Sequence, residues 1–219
     1  MCPVDYTPGS VLRKPADWKN LRFYQKTDAL YQLTVIFCRR FLPKYGDRTV
    51  DQMIQAARSG KQNIIEGSED GKTSTEMELK LINVARSSVS ELREDYRDYL
   101  NKKSLSIWQD SHPRYYAMQT FCKNNNKPSD FLTFSEKWNE EEFCNICLTL
   151  CYQVDAMMNA YLKHLEELFV TKGGIKERMH HSRTDYRAGM EERVKELEAE
   201  VNDLKAKLKA LESLLPNKE

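Results

Sequence analysis

From about Trp18 to Leu42, apolar side chains return every three or four positions: Phe23, Leu30, Leu33, Phe37 and Phe41. That is the period of an α-helix buried along one face, and Pro43 stops it. Met53, Ala57, Gly60 and Ile64 repeat the pattern, as do Leu81, Ala85, Val89, Leu92, Tyr96 and Leu100. Thr49, with Gln52 three residues on, predicts a capping box at the start of the first of these stretches; Thr73 or Thr75 does so for the second. Gly67 predicts the left-handed residue that ends the first arm. Gly60 costs about 1 kcal/mol against alanine in mid-helix, a cost that close approach of a neighbouring helix offsets. Two amphipathic helices joined by a short polar turn lie antiparallel and need further helices to cover them. A last long helix begins at an Asn139 cap with Glu140, Glu141 and Glu142 in its first turn, carries Phe143, Ile146, Cys147, Leu150, Val154, Met157, Tyr161, Leu165 and Leu168, and ends at Gly173-Gly174. No stretch reads as a strand. The expected class is all-α: an up-down four-helix bundle over residues 18–174, after an extended lead-in over residues 1–17.

Residues 101–138 interrupt the bundle before its last helix. Ile107, Trp108, Tyr115, Tyr116, Met118, Phe121, Phe131, Phe134 and Trp138 make this insert aromatic-rich. Pro113 predicts the start of a short helix and Asn124-Asn125-Asn126-Lys127-Pro128 its end. Such a segment reads as a satellite core rather than a disordered loop; the competing reading is a stacking platform for nucleic-acid bases.

Past Gly174 the pattern changes. Residues 175–189 are mixed polar and read as a linker. From 190 to 215 a heptad takes over, with Met190, Leu197, Leu204 and Leu211 at d and Val194, Val201, Leu208 and Leu215 at a, until Pro216 ends it. In a parallel pair Arg193 faces Glu198, Glu200 faces Lys205 and Lys207 faces Glu212, all attractive. Valine at the first two a positions with leucine at d favours two strands. These eight a and d residues are the expected self-association surface; the alternative is a helix folded back on the bundle.

The stretch Ser59-Gly60-Lys61-Gln62-Asn63-Ile64-Ile65-Glu66-Gly67-Ser68, followed by Ser74 and by residues 78–92, resembles the signature of the bacterial four-helix bundle proteins. These include proteins encoded within intervening sequences of large-subunit ribosomal RNA genes and the accessory variability determinant of diversity-generating retroelements. The pattern from Leu21 to Leu42 and the Gly173-Gly174 tail resemble a longer branch, the four helix bundle suffix domain. The resemblance spans about residues 18–183. It implies the bundle fold, a bacterial origin, a homo-oligomer such as a pentameric barrel, and association with nucleic acid and a reverse transcriptase or other protein. Gly60, Asn63, Glu66 and Gly67 match its motif and read as structural, with Glu66 meeting the positive N-terminus of the next helix and Asn63 binding backbone across the hairpin.

Charge modifies this picture. The chain has 34 Lys and Arg against 33 Asp and Glu, so no global field points to nucleic acid. Residues 1–66, however, carry 11 basic and 6 acidic side chains, which makes the front of the bundle basic. Arg39, Arg40, Lys44 and Arg48 cluster at the end of the first helix, and Arg58, Lys61 and Lys72 lie along the hairpin; these seven are the candidate phosphate contacts. Chemistry is sparse. Cys144, Cys147 and Cys151 share a helix face and read as core filling rather than as a thiolate cluster. Glu177 and His180 form one Glu-x-x-His element where a di-iron bundle needs two. No phosphate loop, nucleophile elbow or His-Glu-x-x-His motif is present. The expectation is therefore a non-enzymatic protein without metal or cofactor, an oligomeric accessory protein that contacts RNA or DNA through its basic face. The alternative is a protein-interaction scaffold that self-associates through its coiled coil alone. No apolar run is long enough to span a bilayer and no signal peptide precedes the first helix, so no membrane is expected; six Cys within helical patterns point to a reducing cytoplasm.

Overall fold

Among the described residues seven α-helices follow one another. A computed structural model of the chain describes residues 11–14, 16–43 and 48–214. After a 3-10 turn at Trp18–Asn20 come α1 (Arg22–Phe41), α2 (Arg48–Asp70), α3 (Thr75–Lys102), α4 (Tyr115–Asn124), α5 (Pro128–Ser135), α6 (Glu140–Lys172) and α7 (Ile175–Leu214). The protein is all-helical, with no strand among the described residues. None of these helices is long and apolar enough to cross a membrane. The chain divides into two compact units: residues 13–174, and residues 175–214 with the described residues 11 and 12. Lys44, Leu215 and Pro216 lie outside the described residues.

In the 13–174 unit α2 contacts α1 and α3, and α6 contacts α1 and α3. Phe37 is buried toward the end of α1, its ring 4.9 to 5.7 Å from those of Tyr96, Tyr99, Phe41 and Phe143. Lower down, Phe23 meets Tyr161 at 5.2 Å. The buried tyrosine hydroxyls find partners, as they must away from water. Tyr96 shares a hydrogen bond with Thr34 (2.9 Å), and Tyr99 donates to Glu140 (2.7 Å).

The α2–α3 hairpin is close-fitting because small residues line it. A Cβ at Gly60 would lie 3.1 Å from Val89 Cγ2 and 3.6 Å from the Ala85 carbonyl, and one at Gly67 would lie 3.2 Å from Leu81 Cβ. Gly67 therefore does not end α2. The helix runs on to Asp70, because Gly67 occupies the next position of the 53–57–60–64 stripe and lets α3 approach there too. The caps also differ from expectation. Arg48 is already helical, one residue before Thr49. Ser74, not Thr73 or Thr75, caps α3, its Oγ accepting from the Met77 amide at 3.0 Å. Thr75 is the buried first residue of a stripe on which Ile82, rather than the half-buried Leu81, enters the core. On α6 Met158 takes the place expected for Met157.

The insert folds as α4 and α5. Proline 128, expected to close the first short helix, instead opens α5 at its first turn, where the missing N–H costs nothing. Phe121 meets Phe131, Phe134 and Trp138 edge-on, and Phe131, Trp108, Met118 and Cys122 are buried. The insert covers the outer face of α6, so Phe143 to Cys151 are buried all round the helix. Two cations of α1 hold it in place. Lys26, with no exposed surface, donates to the carbonyls of Cys122 and Asn125 at the end of α4. Arg40 donates to those of Ser135 and Trp138 at the end of α5. Both satisfy carbonyls that a helix C-terminus leaves without intrahelical donors.

Residues 175–189, read as a linker, are helical. They form the first part of α7, a continuous helix of 40 residues. The stretch lacks an apolar heptad, but it has no proline and carries Arg178, Arg183, Arg187 and Ala188 among its helix formers.

Candidate functional site: the open face of helix α7 and the surface of the 13–174 unit

At 1.5 Å per residue α7 is about 60 Å long. Met190, Val194, Leu197, Val201, Leu204, Leu208 and Leu211 are between 43 and 62 % exposed. A monomeric helix with this stripe in water holds apolar area that another helix would bury, and burial is worth about 25 cal/mol per Å². Within the helix Arg193 pairs with Glu196 (2.8 Å) and Lys207 with Asp203 (2.7 Å). Near its start Arg178 donates to the Val11 carbonyl at 3.1 Å.

Six of the seven predicted phosphate contacts lie among the described residues. Arg39 and Arg48 are exposed near one end of the 13–174 unit, while Lys72 is exposed in the α2–α3 turn, about 33 Å away by the length of α2. Arg58 is exposed midway along α2. Arg40 is taken up by the end of α5 and lies over the Phe41 ring at 4.6 Å. Lys61 pairs with Asp28 at 2.7 Å beside Tyr31. Lys44 lies outside the described residues.

The motif residues also have local partners. Asn63 donates to the Ser59 carbonyl (2.9 Å) and hydroxyl (3.2 Å) one turn back, not to backbone across the hairpin; Ser59 makes the crossing, at 3.0 Å from the Ser88 hydroxyl. Glu66 points outward, exposed, and does not meet the start of α3. The carboxylate at that end is Glu78, which sequence reasoning missed. It is 1 % exposed and accepts from Tyr161 (2.6 Å) and Arg13 (3.1 Å), and Arg13 also bonds Thr75 (2.9 Å). Burial pushes its carboxyl up, against the pull of Tyr161 and Arg13. A Cβ at Gly71 would run into that carboxylate.

Two grooves flank α3. The one shared with α2, about 660 Å³, has a floor of Ala56, Ser59 and Ser88 and a rim of Arg48, Asp51, Glu91 and Asp95. Burial first, then Asp98 and Glu91, holds the Asp95 carboxyl up to about 6. The one shared with α6, about 240 Å³, is lined by Asn83, Arg86, Ser87, Ser90, Arg93 and Asp155. Arg86 pairs there with Asp155 at 2.8 Å, and Arg93 and Arg97 flank the exposed Tyr152 ring at 5.1 and 5.9 Å. Their spacing of seven and four on one helix was the signal available in the sequence.

The thiols of Cys122, Cys144, Cys147 and Cys151 form no disulfide and are buried, and Cys38 is buried as well. Burial pushes Cys122 up to about 12 and the three on α6 higher still, so they remain protonated and poor nucleophiles or ligands. Among the described residues no three His, Cys, Asp or Glu side chains are grouped to hold a metal ion. No family model matches the sequence, and neither a curated protein nor a solved structure matches the chain.

Proposed function

We propose that this chain is a non-enzymatic scaffold protein, in which an up-down four-helix bundle of α1, α2, α3 and α6 is carried on a helix that self-associates. The exposed heptad of α7 carries the reading. Contact pairs that run in opposite order along α1 and α6, and along α3 and α6, support the bundle topology: Phe37–Phe143 with Phe23–Tyr161, and Tyr99–Glu140 with Glu78–Tyr161. The likeness of residues 59–68 and 78–92 to the bacterial four-helix bundle proteins supports the same topology. The buried thiols of Cys122, Cys144, Cys147 and Cys151, none in a disulfide, fit a reducing cytoplasm. Light scattering on the full chain tests self-association: the wild type should have a mass of two or more chains, and Leu197→Lys with Leu204→Lys that of one, at unchanged melting of the bundle. A wild type that stays monomeric at tens of micromolar overturns the proposal.

Nucleic-acid association is the second reading. The Arg86–Arg93–Arg97 row with Tyr152 favours it, since guanidinium groups beside an exposed ring suit phosphates and bases together. A gel shift at low salt on single-stranded and structured RNA tests it. Binding should weaken as salt rises and be lost on Arg93→Glu with Arg97→Glu; no shift at 50 mM salt removes the reading.

A further inference from the structure

The core stripe of α3 divides the charges of that helix. With positions 82, 85, 89, 92 and 96 buried, Glu91, Asp95 and Asp98 fall on one flank and Asn83, Arg86, Ser87, Ser90 and Arg93 on the other. At 100° and 1.5 Å per residue the second group occupies an arc of about 120° and a strip about 15 Å long beside the core stripe. Helix α6 closes the far side with Asp155, and the pocket between the two helices holds about 240 Å³. That is below the ~300–1,000 Å³ of sites for drug-sized ligands and suits a single small group. None of its lining residues is apolar, and all but Asp155 bring hydrogen-bond donors.

Part of this donor set is unused. Arg86 donates from Nε to Asp155 (2.8 Å) and from Nη1 to Asn83 Oδ1 (3.5 Å). Arg93 donates from Nε to Glu94 (3.1 Å) and from Nη2 to Ser90 Oγ (3.0 Å). Among the described residues Arg86 Nη2, Arg93 Nη1 and Asn83 Nδ2 donate to nothing, and Ser90, which accepts from Arg93, keeps its own O–H. The Glu94 carboxylate that meets Arg93 is 52 % exposed, and pairs of that kind hold side chains weakly. Asp155 is matched by Arg86, and its other oxygen accepts from Asn159 at 3.3 Å. The lining therefore keeps one positive charge over, that of Arg93.

Guanidinium forks beside hydroxyl and amide donors are the partners of a phosphate: the forks take paired oxygens and the neutral donors take the rest. We propose that the α3–α6 pocket binds a terminal phosphate, as the inorganic ion or a phosphomonoester, between Arg86 and Arg93, with Ser90 and Asn83 completing its shell. The donor count selects the end group. The unused guanidinium, hydroxyl and amide hydrogens outnumber the free oxygens of an internal phosphodiester. A monoester brings three acceptor oxygens and a charge of about −1.5 to −2 at neutral pH. The proposal goes beyond nucleic-acid association, since it needs neither Arg97 nor the Tyr152 ring and takes a ligand that is not a polymer.

Isothermal titration of the full chain with inorganic phosphate, at an ionic strength held constant with sodium chloride, tests it. The wild type should take up one phosphate per chain. Ser87→Asp, at an exposed position, brings a carboxylate into the strip, and Arg93→Gln removes the surplus charge. Each should weaken binding about tenfold or more, at thermal melts close to that of the wild type. No saturation below about 10 mM phosphate, or wild-type affinity in both variants, overturns the proposal. Competition on the wild type needs no variant: glycerol 2-phosphate should displace the ion and dimethyl phosphate should not. Equal displacement by the two overturns the end-group assignment. A 5′-phosphorylated dinucleotide distinguishes the sources: tighter binding than inorganic phosphate supports a nucleic-acid end in the pocket, and weaker binding supports the free ion or a small ester. The RNA gel shift fails or succeeds separately. RNA that binds while phosphate does not overturns the pocket and leaves nucleic-acid association standing; phosphate that binds without RNA supports the pocket alone.

Discussion

Two buried charged side chains, Lys26 and Glu78, show how a residue of unsuitable type enters a core. Each sits on the apolar stripe of its helix. Positions 23, 26, 30, 33 and 37 on α1 and 75, 78, 82, 85, 89, 92 and 96 on α3 step by three and four. The phase of the stripe thus places both inside, although an apolar-only reading passes over them. What made them tolerable was not legible: the donors and acceptors come from residues far away in the chain, at 122 and 125 for Lys26 and at 13 and 161 for Glu78. Lys26→Ala should cost about 2 to 4 kcal/mol, through a cavity and two carbonyls left without a donor. That is a fall of roughly 5 to 15 °C in Tm, and Lys26→Met should recover only the part due to volume. A thermal melt unchanged by Lys26→Ala would mean that the end of α4 is satisfied some other way. Asp95 makes a different prediction. Its carboxyl, held up from 3.8 to about 6, binds its proton more tightly folded than unfolded, so its contribution to stability falls as pH rises from about 4 to 6 and stays lost at neutrality. The shift corresponds to about 3 kcal/mol at most, which solvent around the half-buried side chain reduces to about 1 kcal/mol. Asp95→Asn should raise Tm at pH 7 by a few degrees and leave it unchanged at pH 4; an equal rise at both would assign the gain to something other than charge.

At the level of elements, the four long stripes were legible because a 3.6-residue period survives many individual misreadings. Boundaries were less so. Gly67 and Pro128 are both helix punctuation in isolation, and both have other uses here: one admits a neighbouring helix, and the other starts a helix. The polar start of α7 shows the opposite limit, since it is helical without an apolar heptad to announce it. The fit of α2 on α3 can be tested as a cycle. Gly60→Ala gains helix propensity but brings a Cβ to 3.1 Å from Val89 Cγ2. Alone it should destabilise by about 1 kcal/mol; in a Val89→Ala background, where the clash is gone, it should stabilise by about the same amount. Additive effects in denaturant titrations would show that α3 does not press on Gly60.

For the whole molecule, the two units should come apart in their thermodynamics. A helix with an uncovered stripe has little to hold it in isolation, whereas the 13–174 unit has its own core. All three tryptophans, Trp18, Trp108 and Trp138, lie in that unit. Dilution through the self-association range should therefore lower the helical circular dichroism while tryptophan fluorescence stays constant. If both signals move together, α7 and the bundle fold as one cooperative body. The candidate site was partly legible at this scale. The heptad announced an unfilled face, while the basic cluster around residues 39–48 divides: Arg39 and Arg48 are exposed and Arg40 is taken up by the end of α5.

The sequestered thiols have one more use. A sulfhydryl that stays protonated and out of reach can be alkylated only when its surroundings open. Cys122 belongs to the insert and Cys147 to the centre of the long helices. Peptide mapping after slow iodoacetamide treatment would thus record, cysteine by cysteine, the order in which the folded protein breathes.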